Sequence, residues 1–141
     1  MVRINLLSPK ILADQHLIAE YNEILMLFGF VKKHPTTSSC IPQNFCLGKG
    51  HILFFTHKLL YLQKRHELLK KEMKKRGFQP TKTIQLSMYA KHLHKNWKPT
   101  AKDKAIVKER ILWKLHQKPT WYTYYGNVKS ISFYKKLLKK S

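Results

Sequence analysis

The sequence predicts an all-α chain, one compact domain built on three main helices with long irregular connections. Two observations carry this: apolar residues recur at spacings of three and four in separate stretches, and each stretch has a recognisable start or stop. The size agrees, since 141 residues with 43% hydrophobic side chains supply one core.

The first helix opens near Ser8-Pro9-Lys10-Ile11, where Ser8 can cap free amides and proline is tolerated at a first turn. It should run to Leu27 or slightly beyond. Leu17, Tyr21, Ile24 and Phe28 form its apolar face, and His16, Glu20 and Glu23 fall on another. From His34 to Gly50, proline, threonine, serine, asparagine and glycine favour one long loop. The second helix covers about Lys58 to Arg76 with Leu59, Leu62, Leu69 and Met73 inward, and Gly77 ends it in the left-handed conformation so that Phe78 closes on the last turn. Residues 79–99 lack a period and read as an irregular crossing. Thr100 and Asp103 form a capping box that opens the third helix, with Ile106, Ile111, Leu112 and Leu115 as core candidates and Pro119 as the stop. After it come Trp121 to Gly126 and a lysine-rich tail, Asn127 to Ser141, with room for a short extra helix.

Charge narrows the function. Lysine and arginine number 28 against seven acids, a net charge of +21. The excess is spread along the chain, which fits a nucleic-acid partner better than a membrane surface, where one amphipathic helix would concentrate it. No signal-peptide core follows the start and no apolar run approaches the length of a membrane span, so a soluble intracellular protein is expected. Cys40 and Cys46 lack a second pair for a zinc site and read as reduced thiols. Eight histidines, among them His92 with His94 and His51 with His57, follow no metal-binding spacing, and no phosphate loop or serine elbow occurs. No metal or cofactor is expected.

Arg110, Lys114 and Lys118 recur every four residues, a stripe suited to a phosphate backbone. The aromatic run beside them divides by expectation: Trp121 and one tyrosine inward, the others, drawn from Tyr122, Tyr124 and Tyr125, at the DNA surface. At the opposite end, an α-amino group with an ordinary pKa of about 7.7–8.0, against about 10.4 for lysine, is a usable nucleophile near neutral pH. A carboxylate such as Glu23 in a DNA-facing cleft repels phosphates and therefore calls for a chemical role.

A set of residues in order along the chain carries a specific resemblance: Arg3-Ile4-Asn5-Leu6, Leu12 to Leu17, Ala19-Glu20-Tyr21 with Glu23, Leu47-Gly48, Gly50-His51, Phe54-Phe55, Lys58, Leu62, Lys64-Arg65, Lys75 to Phe78, Pro119 to Tyr122 and Tyr124 to Gly126. Together they resemble the phage endonuclease V family of pyrimidine-dimer DNA glycosylases with AP-lyase activity. The resemblance implies an N-terminal arm threaded between helices, removal of Met1, and attack by the Val2 amine on the deoxyribose of the damaged nucleotide. It assigns Glu23 the catalytic carboxylate, and it places Arg3, Gln15 and His16 at the cleft, with Arg110 and Lys114 on the backbone. The implied substrate is double-stranded DNA containing ultraviolet photoproducts, scanned through nonspecific duplex binding by a monomer.

Departures from the family are local. Val2 stands in place of its usual threonine, and Asn22 and Met26 stand where the phage enzyme has DNA-contacting arginines. The segment 34–49 and the tail after Gly126 also differ, which divides the chain into a helical domain, 1–126, and a basic extension, 127–141. Alternatives of altered lesion preference, or of a noncatalytic DNA-binding protein on the same scaffold, follow from these departures.

Overall fold

The computed structural model describes residues 4–33, 42–47 and 50–140. The expectations for Met1, Val2, Arg3, Cys40 and most of the 34–49 loop lie outside the described residues. The fold is all-α: α1 Asp14–Lys33, α2 His51–Phe55, α3 Leu59–Lys75, α4 Ala101–Gln117 and α5 Ile131–Lys139, with a two-stranded hairpin of β1 Thr123–Tyr124 and β2 Asn127–Val128.

The principal layer is α1 packed on α3. Leu17, Tyr21, Ile24 and Phe28 of α1 are buried, as are Leu59, Leu62, Leu69 and Met73 of α3. The helix expected to open at Pro9 begins at Asp14 instead and continues to Lys33. Pro9–Ile11 is a separate 3-10 turn without a Ser8 side-chain cap, and Leu12 leaves it in extended conformation. Arg76 explains the break. Its guanidinium donates to the carbonyls of Leu12 at 2.7 Å, Pro9 at 3.2 Å and Lys10 at 3.3 Å, so these acceptors serve a tertiary contact, the Pro9 carbonyl while also accepting from Leu12 N–H inside the 3-10 turn.

The end of α3 is as the sequence predicts. Gly77 has φ +94°, and Phe78 N–H donates to the Met73 carbonyl at 2.9 Å, closing a Schellman-type cap. Residues 79–99 strap both helices with two 3-10 turns, tied by Lys82 N–H to the Tyr21 hydroxyl at 2.9 Å and by Gln63 to the Ile84 carbonyl at 3.2 Å. Trp97 from this strap closes an aromatic cluster with Phe45, Phe54, Phe55 and Tyr61. The short helix α2, which supplies Phe54 and Phe55, was not anticipated.

The capping box of α4 is present in both directions, Asp103 N–H to Thr100 Oγ1 and Thr100 N–H to the Asp103 carboxylate. Ile111 and Leu115 are buried, whereas Ile106 and Leu112 are half-buried and Val107 takes the remaining inward position. The lysine-rich tail forms α5, strongly amphipathic, whose Tyr134 and Leu138 are buried where it packs on α4 and on the Pro9–Ile11 turn.

Candidate active site and nucleic-acid interface

The amino-terminal arm is part of the core. Ile4 and Leu7 are essentially inaccessible, and Leu6, also buried, adopts φ +59°, a region disfavoured for side chains that carry a Cβ. Tertiary partners hold it there. The Ile4 amide donates to His51 Nε2 at 3.0 Å, and His51 Nδ1 lies 2.7 Å from the Cys46 carbonyl. Since a carbonyl only accepts, Nδ1 carries the proton and Nε2 is left as the acceptor for Ile4. Gly50 makes this placement possible: its φ is +96°, and a Cβ would sit 3.0 Å from the Pro42 ring. Arg65 provides a second tie, donating to the Leu7 carbonyl while its guanidinium pairs with Glu20 at 2.6 and 3.0 Å.

That pair corrects the reading of α1. The sequence places Glu20 with His16 and Glu23 on a face apart from the apolar one, but Glu20 is fully buried against Arg65. Burial works against the Arg65 charge, yet the adjacent Glu20 carboxylate raises its pKa above the ordinary value and keeps the guanidinium charged. Glu23 is half-buried, at the border between core and outer surface. The outer stripe of α1 carries Gln15, Asn22 and Met26 at helical spacing, with Asn22 exposed and Met26 69% exposed.

The start of α1 is bonded to the hairpin. Gln15 accepts from Thr123 N–H at 2.9 Å and donates to its hydroxyl at 3.1 Å. Asp14 accepts from the Thr123 hydroxyl at 2.7 Å, Gly126 N–H at 2.8 Å, Tyr125 N–H at 3.1 Å and Arg76 at 2.9 Å. Burial disfavours the Asp14 charge, but these four donors outweigh it and lower its pKa. They also hold Tyr125 at φ +52° and Gly126 at φ +80°, the positive pair that a two-residue hairpin turn needs.

His16 packs on Tyr122 with ring centroids 4.7 Å apart. Burial, reinforced by the Lys114 charge, lowers its pKa to about 4, so the imidazole is neutral at physiological pH; its Nδ1 has no hydrogen-bond partner among the described residues. Burial raises the Tyr122 phenol, opposed by Arg110. The structure therefore gathers Gln15, His16, Tyr122, Arg110 and Lys114 where α1, α4 and the hairpin meet.

Other sequence-predicted positions fall differently. Lys118 is not a third helical residue of the cationic stripe, because α4 ends at Gln117 and Lys118 leaves at φ −140°. Its ammonium lies 5.4 Å from the Trp121 ring. Trp121, expected inward, is 54% exposed, and Tyr122 is the residue that fills the interior; the turn between α4 and the hairpin points the two rings apart in burial while keeping them edge to face at 4.9 Å. Tyr124 gives its hydroxyl to the Lys10 carbonyl at 2.7 Å and stacks its ring against the Arg76 guanidinium.

His51, Arg65 and Asp14 were missed as organising residues. The sequence signals were Gly50-His51, Lys64-Arg65 and the stretch Leu12 to Leu17, which carry the resemblance without assigning these three residues a structural task. Among the described residues, no three His, Cys, Asp or Glu side chains converge to hold a metal ion, and no helix is long and apolar enough to cross a membrane.

Fold and site together define a polycationic helical protein whose basic side chains and aromatics flank a carboxylate-bearing helix and a buried arm. The family model described as pyrimidine dimer DNA glycosylase matches residues 1–86, more than half of the chain, and the protein belongs to that family. It is accordingly a DNA repair glycosylase with DNA as substrate. The match spans the arm, α1 and α3; Arg110, Lys114, Lys118 and the aromatic run lie beyond it.

Proposed function

We propose that the protein is a bifunctional glycosylase and AP lyase that acts on cyclobutane pyrimidine dimers through an imine formed by its α-amine. The observation that carries this reading is the buried arm, fixed at Ile4 by His51. Two residues of chain span at most about 7 Å, so whatever fixes Ile4 limits the region that the Val2 amine can reach.

In this mechanism Met1 is removed and the Val2 amine attacks C1′ of the damaged nucleotide. The glycosidic bond breaks with its electron pair leaving on the base, and ring opening gives an imine. Glu23 stabilises the developing cation and then accepts a C2′ proton, so that elimination breaks the C3′–O bond and releases the 3′-side strand as its phosphate. A half-buried carboxylate suits both tasks, being shielded from bulk water yet open to one side.

Duplex binding falls to Arg3, Arg110, Lys114 and Lys118 on phosphates, with Gln15, His16, Tyr122 and Tyr124 shaping the cleft behind them. Asn22 and Met26, neutral on the outer stripe of α1, face the lesion. The basic extension 127–141 adds nonspecific attraction that weakens with salt. No cofactor is required, and the working form is an intracellular monomer.

Borohydride trapping tests the reading, using one duplex with a single thymine dimer and one with an abasic site. An adduct on Val2 with the dimer duplex is expected, and Glu23→Gln should lose strand cleavage while retaining binding. Trapping with the abasic duplex alone would assign a lyase of altered lesion preference, the second reading that exposed Asn22 and Met26 favour. No adduct with either would leave a noncatalytic DNA binder.

A further inference from the structure

The exposed side of α3 carries charge that the fold does not use. Lys64, Lys71, Lys74 and Lys75 are all exposed, and among the described residues none of them is in an ion pair. Glu67, the one exposed acid of α3, is already 3.6 Å from Lys70. Lys71 and Lys75 stand four residues apart, where like charges oppose each other along a helix. The helix dipole accounts for Lys74 and Lys75 in the last turn, but not for Lys64 and Lys71.

What α3 buries sets the direction of this face. Arg65 and His66 reach α1, where they meet the Glu20 carboxylate at 2.6 Å and the Tyr21 ring at a centroid separation of 4.7 Å. At about 100° per residue, Asn22 and Met26 lie roughly half a turn round α1 from Glu20 and Tyr21, and the four lysines lie roughly half a turn round α3 from Arg65 and His66. The outer stripe of α1 and the lysine stripe of α3 therefore look out from opposite sides of the α1–α3 layer. A duplex lying against α1 leaves the α3 face open.

We propose that the outer face of α3 is a second surface for duplex DNA, so that one molecule holds two DNA segments at once, one on each side of the α1–α3 layer. Lys64 and Lys75 are about 16 Å apart along the helix, a length over which B-form DNA presents about ten phosphates on its two strands, enough for all four ammonium groups. Contact through phosphates alone reads no sequence, which suits a surface that takes any passing segment. A protein partner would need an apolar centre, and Leu68 is the one large exposed apolar side chain of α3. Duplex DNA needs only the charge. The proposal rests on DNA being the partner, but not on the imine chemistry.

The test immobilises one paired duplex, loads it with the full chain at low salt, and measures capture of a second, fluorescently labelled paired duplex. The wild type should retain the second duplex, and its release from a single labelled duplex should accelerate with the concentration of unlabelled competitor, as direct transfer requires. Lys64→Gln, Lys71→Gln, Lys74→Gln and Lys75→Gln combined should reduce capture by about tenfold or more and make release independent of competitor, while affinity for the first duplex changes by less than about threefold. Arginine at the same four positions should keep capture. Glutamine retains helix propensity at these exposed positions, and a thermal melt of the variant checks that it is folded. A wild type that binds one duplex but captures no second would overturn the second surface. So would a glutamine variant that still captures it, or one that loses first-duplex binding to the same extent, which would make the α3 face part of one continuous site. Binding to neither duplex would overturn the DNA partner as well, whereas lysine-dependent capture without any borohydride adduct would support the surface and fail the imine reading alone. Capture blocked by an acidic polypeptide at concentrations that leave the first duplex bound, with no direct transfer between duplexes, would reassign the face to a protein.

Discussion

The amide of Ile4 donates to Nε2 of His51 across 47 residues of sequence, at 3.0 Å and out of contact with water. The bond is directional because the Cys46 carbonyl fixes the proton on the other ring nitrogen. His51 thus acts as a positioning residue for the arm.

His51→Ala should therefore remove the acceptor of the Ile4 amide in the interior and open a cavity. A loss of roughly 2–4 kcal/mol is expected in urea denaturation. Amide exchange at Ile4 should accelerate, and borohydride trapping at Val2 should slow by more than tenfold while duplex affinity changes little. An unchanged trapping rate with an exposed Ile4 amide would show that the anchor is structural only.

Asp14 and Arg76 hold three elements at one point: the Pro9–Ile11 turn, the end of α3 and the hairpin. Arg76 also pairs with Glu72 at 2.8 Å, and both acids keep its pKa above the ordinary value against the opposing effect of burial. Asp14→Asn preserves shape but turns two acceptor positions into a neutral amide beside four donors. A destabilisation of roughly 2–4 kcal/mol is expected, with faster exchange of the Tyr125 and Gly126 amides as the turn relaxes. Exchange confined to the hairpin would show that α1 and α3 stay paired without the tie.

Two histidines make stability fall in mild acid. His66 is buried and stacked on Tyr21 at 4.7 Å; burial first, then the Lys70 charge, lowers its pKa to about 4, with Glu67 opposing. His16 is likewise lowered to about 4. Above about pH 6.5 both are neutral in the folded and unfolded chain and impose no slope. Between about 6.5 and 4 the unfolded chain binds protons that the folded protein refuses, so stability decreases as pH falls, by roughly 1–3 kcal/mol per histidine. Urea melts at pH 7.5 and 4.5 measure the difference, and His66→Phe, which keeps the stack, should remove about half of it.

The sequence by itself determined the helical class, the inward faces of α1 and α3, the Gly77 stop and the Thr100–Asp103 start. It did so because each is a local matter of side-chain period, backbone freedom or a hydrogen bond within one turn. It also carried the family, since Glu23 and the arm lie in the stretch that the family model matches. Only the tertiary structure decided that Glu20 faces Arg65 and not the cleft, that α1 begins at Asp14, that Tyr122 and not Trp121 fills the interior, and that His51 holds the arm. Each of these depends on a partner 45 or more residues away, or on which of two adjacent rings meets a neighbouring helix. Hydrophobic period assigns a residue to a face, but a buried charge or a capping acceptor is placed by the one group that neutralises it, and that group is found only when distant segments meet.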